Sequence, residues 1–272
     1  GNVSSVIVAD SELTNTSTSS IYADATFSQF NVTGTTITDS STRGIYVLGT
    51  VGNATIENNT LNNSVQTPIE FEVNAGQSTP YEIVDNYVDG SGKDNSLVVV
   101  RQNARVNITD NTLLNSSFRG IYLDAADSVI QTNAIENTSD GGQGIHLEDD
   151  ASNVLIANNT VSDSAGRGIH IDGADHVTVL NATVDTAATY GIDFDSGALG
   201  GKLTESTITN TGFDALRVDS NRVSVTELSL MSGTVSANMT NANLNTTTVP
   251  AGPGDYQSGA DAVEITRNDN QV

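Results

Sequence analysis

The chain has no cysteine, no tryptophan, two lysines and four prolines in 272 residues. Without cysteine there is no disulfide framework and no thiolate zinc site. No apolar run approaches the ~20 residues that a membrane helix needs. The opening Gly1-Asn2-Val3-Ser4 lacks the basic start and apolar stretch of a signal peptide. Bases are scarce: ten Lys and Arg face 33 Asp and Glu, for a net charge of −23. Phosphate contacts need Lys and Arg, so nucleic acid is not an expected partner. Cations, or surfaces rich in them, suit such a chain better. Sustained helical periodicity is missing too, which leaves strands and turns.

What the chain has is a repeat. SSIYAD (19–24), RGIYVL (43–48), TPIEFE (67–72), NSLVVV (95–100), RGIYLD (119–124), QGIHLE (143–148), RGIHID (167–172), YGIDFD (190–195) and DALRVD (214–219) are variants of one line. Taking the third residue of each as an anchor, from Ile21 to Leu216, the steps are 24, 24, 28, 24, 24, 24, 23 and 24 residues. Each copy continues into a motif of the form I-x-N-N-T-L, as in IENNTL (56–61), ITDNTL (108–113) and IANNTV (156–161). Within a copy the apolar residues alternate with period two, and Val, Ile and Thr abound, so these are strands. Short strands that return in register once per repeat describe an all-β, parallel β-helix solenoid, of about ten coils of ~24 residues. Crossovers between parallel strands are almost always right-handed, and that hand is assigned.

The repeat spans the chain as one β-helix domain, residues 1–272. Residues 7–13 match the second half of a coil, and 261–266 the opening strand of another, so both ends read as cut from a longer protein. Residues 249–260, VPAGPGDYQSGA, read as a loop before that final partial coil.

Register turns the repeat into columns. The anchor and the residue two later point inward, as in Ile121/Leu123, Ile145/Leu147 and Ile169/Ile171. The residue before the anchor is Gly44, Gly120, Gly144, Gly168 or Gly191 in five copies, and reads as a corner where glycine relieves backbone strain. Asn59, Asn111 and Asn159, with Asn86 and Asn133 near the same place, read as a hydrogen-bonded ladder at a turn that favours left-handed geometry.

The outward column one past the anchor aligns Tyr122, His146, His170 and Asp193. Beside it run Asp124, Glu148, Asp172, Asp195 and Asp219, and Arg119 and Arg167 border it. Rings with carboxylates can bind sugars, which makes Tyr122, His146, His170, Arg119 and Arg167 the candidate carbohydrate-binding residues. A His beside an Asp can act as base and acid, which makes His146, His170, Asp172 and Asp193 the candidate catalytic set. Carboxylates stacked at one coil spacing repel, so a weak cation site is expected along Asp124, Glu148 and Asp172. An all-oxygen set favours Ca²⁺ or a similar cation, and no organic cofactor is expected. Candidate N-glycosylation sequons stand at Asn15, Asn31, Asn53, Asn62, Asn107, Asn115, Asn137 and Asn181.

On its repeats the chain resembles the right-handed parallel β-helix proteins of the pectate-lyase-like superfamily, over nearly its whole length. That resemblance implies the fold but not one activity. Its Asp-rich, Lys-poor composition resembles proteins of salt-loving archaea. YGIDFD (190–195) is similar to the Y-G-F-D-P-H segment of mannuronan epimerase-like β-helices at Tyr190, Gly191 and Asp193, with Phe194 and Asp195 where Pro and His stand there. Asp149-Asp150 is similar to the double aspartate of polygalacturonase-like hydrolases, whose G-H-G and R-I-K motifs are missing. These readings leave two functions open. One is an extracellular or cell-surface module with a structural, adhesive or glycan-binding role, partnered by a glycan or by other copies or domains of a larger surface protein. The other is a polysaccharide lyase, C5-epimerase or glycoside hydrolase working on an exposed His/Asp face.

Overall fold

Period-two alternation needs a partner strand on each side, and here every coil supplies it to the next. The computed structural model describes residues 3–73, 79–90, 96–102, 104–220, 222–230, 235–238, 243–248 and 263–266. They wind as an all-β, right-handed parallel solenoid of about nine turns. One coil shows the plan: Ile145–Leu147 lies in a first sheet, Leu155–Ala157 in a second and Thr160–Ser164 in a third. Each strand pairs in parallel with its equivalent one coil on, Ile145 with Ile169, Ile156 with Val179 and Val161 with Val184. The core is a stack of aliphatic columns, and Ile145, Leu147, Ile156 and Val161 are all wholly buried.

The first sheet follows the expected register except in one coil. Val98, not Leu97, pairs with Ile69 on one side and Ile121 on the other. NSLVVV places four aliphatic residues in a row, so either alignment fills the core and alternation alone cannot choose. Leu97 takes the corner place and is itself buried; a Cβ on Gly90 would come within 2.6 Å of its Cδ2. The shift moves Arg101 into the column of flanking acids, opposite Glu72.

The corner glycines are required for a different reason from the one expected. None of Gly44, Gly120, Gly144, Gly168 and Gly191 has a positive φ. They are needed for space: a Cβ on Gly144 would lie 2.2 Å from Val161 Cγ1 and 2.8 Å from the Gly168 carbonyl oxygen. Side chains of the third sheet thus press on the corner backbone of the first.

The asparagine ladder is continuous. Asn59, Asn86, Asn111, Asn133 and Asn159 are buried, and each Oδ1 from Asn86 onward accepts both the backbone N–H and the side-chain N–H of the previous rung at 2.9–3.0 Å. The left-handed geometry sits one residue earlier, at Asn58, Asp85, Asp110, Thr132 and Asn158, with φ of 54° to 56°. Turn and ladder are therefore neighbouring columns. The strand Val263–Thr266 pairs with Val235–Asn238. The loop assigned to 249–260 lies outside the described residues.

Candidate functional site

The first sheet carries the polar column on its outer face. Tyr122, His146, His170, Asp193 and Arg217 pair rung by rung, as the sequence predicts. The same column starts with Tyr22, Tyr46, Glu70 and Val99. It is not an exposed face. Tyr22 is 56% exposed, but His146 and His170 are 4% and Asp193 0% exposed. The cover is a layer of arginines. Arg43, Arg119 and Arg167 reach over from the row two residues before the anchor, Arg101 from the acid row and Arg217 from the column itself. Five of the ten bases of an acidic chain lie on this strip. Long side chains with apolar stems can roof a surface and keep their charged heads near water.

The arginines are tied down by rings and acids. Arg43 bonds Glu70, and its guanidinium lies 4.2 Å from the Tyr46 ring centroid. Arg101 and Arg119 lie 4.8 and 4.9 Å from that of Tyr122. Arg119 Nε donates to His146 Nδ1 at 2.8 Å and to Gln143 Oε1 at 3.1 Å. Arg167 Nε donates to Asp193 Oδ2, and Arg217 Nη1 reaches the same oxygen at 3.2 Å. Arg217 Nη2 spans Asp195 and Asp219 at 3.2 and 3.4 Å.

The histidines sit under this roof with their rings 4.6 Å apart. Burial, then the nearby Arg119, hold His146 down at about 2. Burial and Arg167 bring His170 down to about 4, against the pull of Asp195. Both are neutral near pH 7, so their approaches to acids are not ion pairs. His146 Nε2 is 3.4 Å from Glu148 Oε1 and 4.0 Å from Asp172 Oδ2; His170 Nε2 is 3.5 Å from Asp195 Oδ2 and 4.0 Å from Asp193 Oδ2. None of these is a hydrogen bond, and His146 Nε2, both ring nitrogens of His170 and Asp193 Oδ1 are buried without a partner. Burial pushes Asp193 up to about 6, although Arg217 and Arg167 oppose it.

The flanking acids differ among themselves. Burial raises Asp124, with Asp150 adding to it; burial and Asp172 raise Glu148; burial and Asp195 raise Asp172. Burial alone would raise Asp195 as well, but the Ser196 N–H and Arg217 hold it below the usual carboxylate range. Among the described residues, the groups close enough to share a metal ion are His146, His170 and Asp172, and His170, Asp193 and Asp195. Of the acids expected to hold a cation, Asp124 and Glu148 belong to neither. Asp149 and Asp150 lie in the turn after Ile145–Leu147, away from Asp193 in the chain's coil order.

Two members of the site escaped the sequence reading. Gln143 stands in the row that holds Arg119 and Arg167 elsewhere, so its place was visible and its role was not. Arg101 was hidden by the one-residue shift at Val98. The sequons are scattered: Asn15, Asn53, Asn137 and Asn181 are exposed, and Asn31, Asn62, Asn107 and Asn115 half-buried. The amides of Asn107, Asn115, Asn137 and Asn181 already donate, to Glu82, Asp89, Asn115 and Asn158.

Similarity to known proteins is at the level of fold. No curated protein matches the chain in sequence. Among solved structures, a double mutant of the periplasmic alginate epimerase AlgG aligns with a TM-score of 0.57 at 10% identity, covering 91% of this chain and 70% of that one. The Dettilon tailspike protein aligns with a TM-score of 0.55 at 13% identity, covering 96% of this chain and 60% of that one. No helix among the described residues is long and apolar enough to cross a membrane. The family profile described as "Right handed beta helix region" matches residues 72–269, and the chain belongs to that family.

Proposed function

We propose that the chain is a secreted or surface-exposed β-helix module that binds a neutral glycan on the outer face of its first sheet. The observation that carries this reading is the roof itself. Half of the chain's scarce bases are laid on one strip, three of them over Tyr46 and Tyr122 and two beside Tyr190, interleaved with carboxylates. Planar guanidinium and carboxylate edges offer a sugar hydroxyl partners, and the exposed Tyr22 and half-buried Tyr46 offer a stacking surface, while Tyr122 is buried under the roof. Of the catalytic candidates, His146, His170 and Asp193 lie beneath, where a substrate does not touch them, while Asp172 is open to solvent; this favours binding over turnover. Charge favours a neutral chain: nine carboxylates (Asp24, Glu70, Glu72, Asp124, Glu148, Asp172, Asp193, Asp195 and Asp219) outnumber the five arginines. A polyuronate would meet a net repulsion there. A place outside the cytoplasm accords with the periplasmic name of one fold neighbour. Glycans on exposed Asn15 and Asn53, and contacts with other copies or domains, fit the same surface role.

Affinity electrophoresis through neutral and uronate polysaccharides tests the proposal. Retardation by a neutral polymer is expected, and it should weaken in Arg119→Ala, Arg167→Ala and Tyr46→Ala. Retardation by uronates alone, or by none, would sink it. A second reading, a polysaccharide-active enzyme, rests on the unpartnered atoms of His170 and Asp193. It requires the roof to open on substrate, and predicts product formation that Asp193→Asn abolishes while leaving glycan retardation intact.

A further inference from the structure

We propose that His146, His170, Asp172 and Glu148 form a binding site for a zinc-like divalent ion. The sequence assigned calcium to the acid row alone; the structure sets two imidazoles against it. His146 Nε2 stands 3.4 Å from Glu148 Oε1 and 4.0 Å from Asp172 Oδ2. One ligand atom each from His146, His170 and Asp172 lie within 4.8 Å of one another. Bonds of about 2.0–2.1 Å in a tetrahedral zinc site set ligand atoms roughly 3.3 Å apart. The His146–Glu148 edge already has that length, His146, His170 and Asp172 must draw in by up to about 1.5 Å, and Glu148, which lies outside that group, must close further on the other two.

The acids alone would not make a site. The independent mark is that His146 Nε2 and both nitrogens of His170 are buried, at 4% residue exposure, and bond to nothing. A buried polar atom without a partner is costly, and a metal bond removes that cost. Two nitrogens and two carboxylate oxygens suit Zn²⁺ better than Ca²⁺, which takes six to eight oxygens.

His146 Nδ1 now accepts from Arg119 Nε, so the ring proton is on Nε2. Ligation requires the other tautomer, and Gln143 provides for it. Its Oε1 lies 3.4 Å from Nδ1 and already accepts Arg119 Nε. With the proton on Nδ1, that nitrogen donates to Gln143, and Arg119 Nε must draw back from it, keeping only its bond to the same oxygen. A backing acceptor of this kind sets the tautomer and orientation of a metal-bound histidine. In the second group, His170, Asp193 and Asp195, the charge of Asp193 is already compensated at Oδ2 by Arg167 and Arg217, whose guanidiniums would repel a cation there.

Titration of the metal-stripped full chain with Zn²⁺, in high salt and millimolar Ca²⁺, tests this site, with Co²⁺ as a visible-absorption probe. A single saturable site is expected, with a rise in Tm on Zn²⁺ and the absorption of tetrahedral Co²⁺. Gln143→Leu, a positioning variant, and Asp172→Asn should each weaken binding by about tenfold or more. Neither should lower the metal-free Tm, so loss of binding is not loss of fold. The proposal is overturned if Zn²⁺ and Co²⁺ do not bind, if Ca²⁺ displaces them, or if His146→Ala/His170→Ala binds as the parent does.

Discussion

Arg167 donates its Nε–H to the carboxylate of Asp193, and that carboxylate is wholly buried on the outer face of the tube. Arg217 reaches the same oxygen from the next coil. A buried carboxylate is stable only while paired. Either arginine can still serve it alone, so Arg167→Ala and Arg217→Ala should each be mild. Together they should cost about 3–5 kcal/mol, more than the two single losses added, as expected when a buried charge loses its last partner. Asp193→Asn in the double variant should return much of that. Denaturant midpoints of the parent and the four variants check it; simple additivity would mean that the two arginines do not share Asp193.

The ladder makes a sharper prediction about one asparagine. Asn111 accepts twice from Asn86 and donates to the carbonyls of Ile83 and Thr109. Asn111→Ala strands buried groups on both sides and should cost upward of about 2 kcal/mol. Asn111→Asp should be worse, because its carboxylate faces two carbonyl oxygens and cannot donate to either. Exposed Asn53→Ala, at a position without a positive φ, is the control, within about 0.5 kcal/mol of the parent. Equal midpoints for Asn111→Ala and Asn53→Ala would show that the ladder does not contribute to stability.

At the corner, space can be separated from backbone freedom. Gly144→Ala should destabilise by about 1–3 kcal/mol, since its methyl meets Val161 Cγ1 at 2.2 Å and the Gly168 carbonyl oxygen at 2.8 Å. Adding Val161→Ala removes the first clash only. The pair should then be less unstable than the sum of the two single variants, because Val161→Ala leaves room that the new methyl fills. Strict additivity, measured by thermal melts, would speak for backbone strain.

Much of this was legible because the period is short and its residues alternate. Ile121, Ile145 and Ile169 announce the register by themselves, and the alignment of His146 on His170 and Asp193 follows from it. Alternation fails where four aliphatic residues run together, so Val98 and Arg101 were displaced by one. Outward was also taken to mean exposed. Period two tells which side of the sheet a side chain leaves, and not what lies over it. The roof over His170 depends on the reach of Arg167 from two residues before its anchor, which no columnar alignment displays. Gln143 shows the same limit, since its meaning comes from a tautomer and not from a position.

The acid row yields a prediction with a sign in pH and in salt. Burial and then Asp150 and Asp149 raise Asp124 above 3.8, with the Asp150 backbone and Arg101 opposing. A carboxyl whose folded pKa is raised binds its proton more tightly in the native state than in the unfolded one. Its contribution is therefore favourable below the unfolded value and is lost as pH rises through the folded value. Near pH 7 the ionised Asp124 is a net cost to the fold, and Asp124→Asn should raise Tm. The gain should vanish on acidification, where Asp124 is protonated in either case. It should also shrink in high salt, since the acids that repel Asp124 are partly solvated and screening reaches them. Melts of metal-free parent and variant, across pH at low and high salt, measure both effects. A variant less stable than the parent at pH 7 in low salt would mean that Arg101, and not the neighbouring acids, governs Asp124.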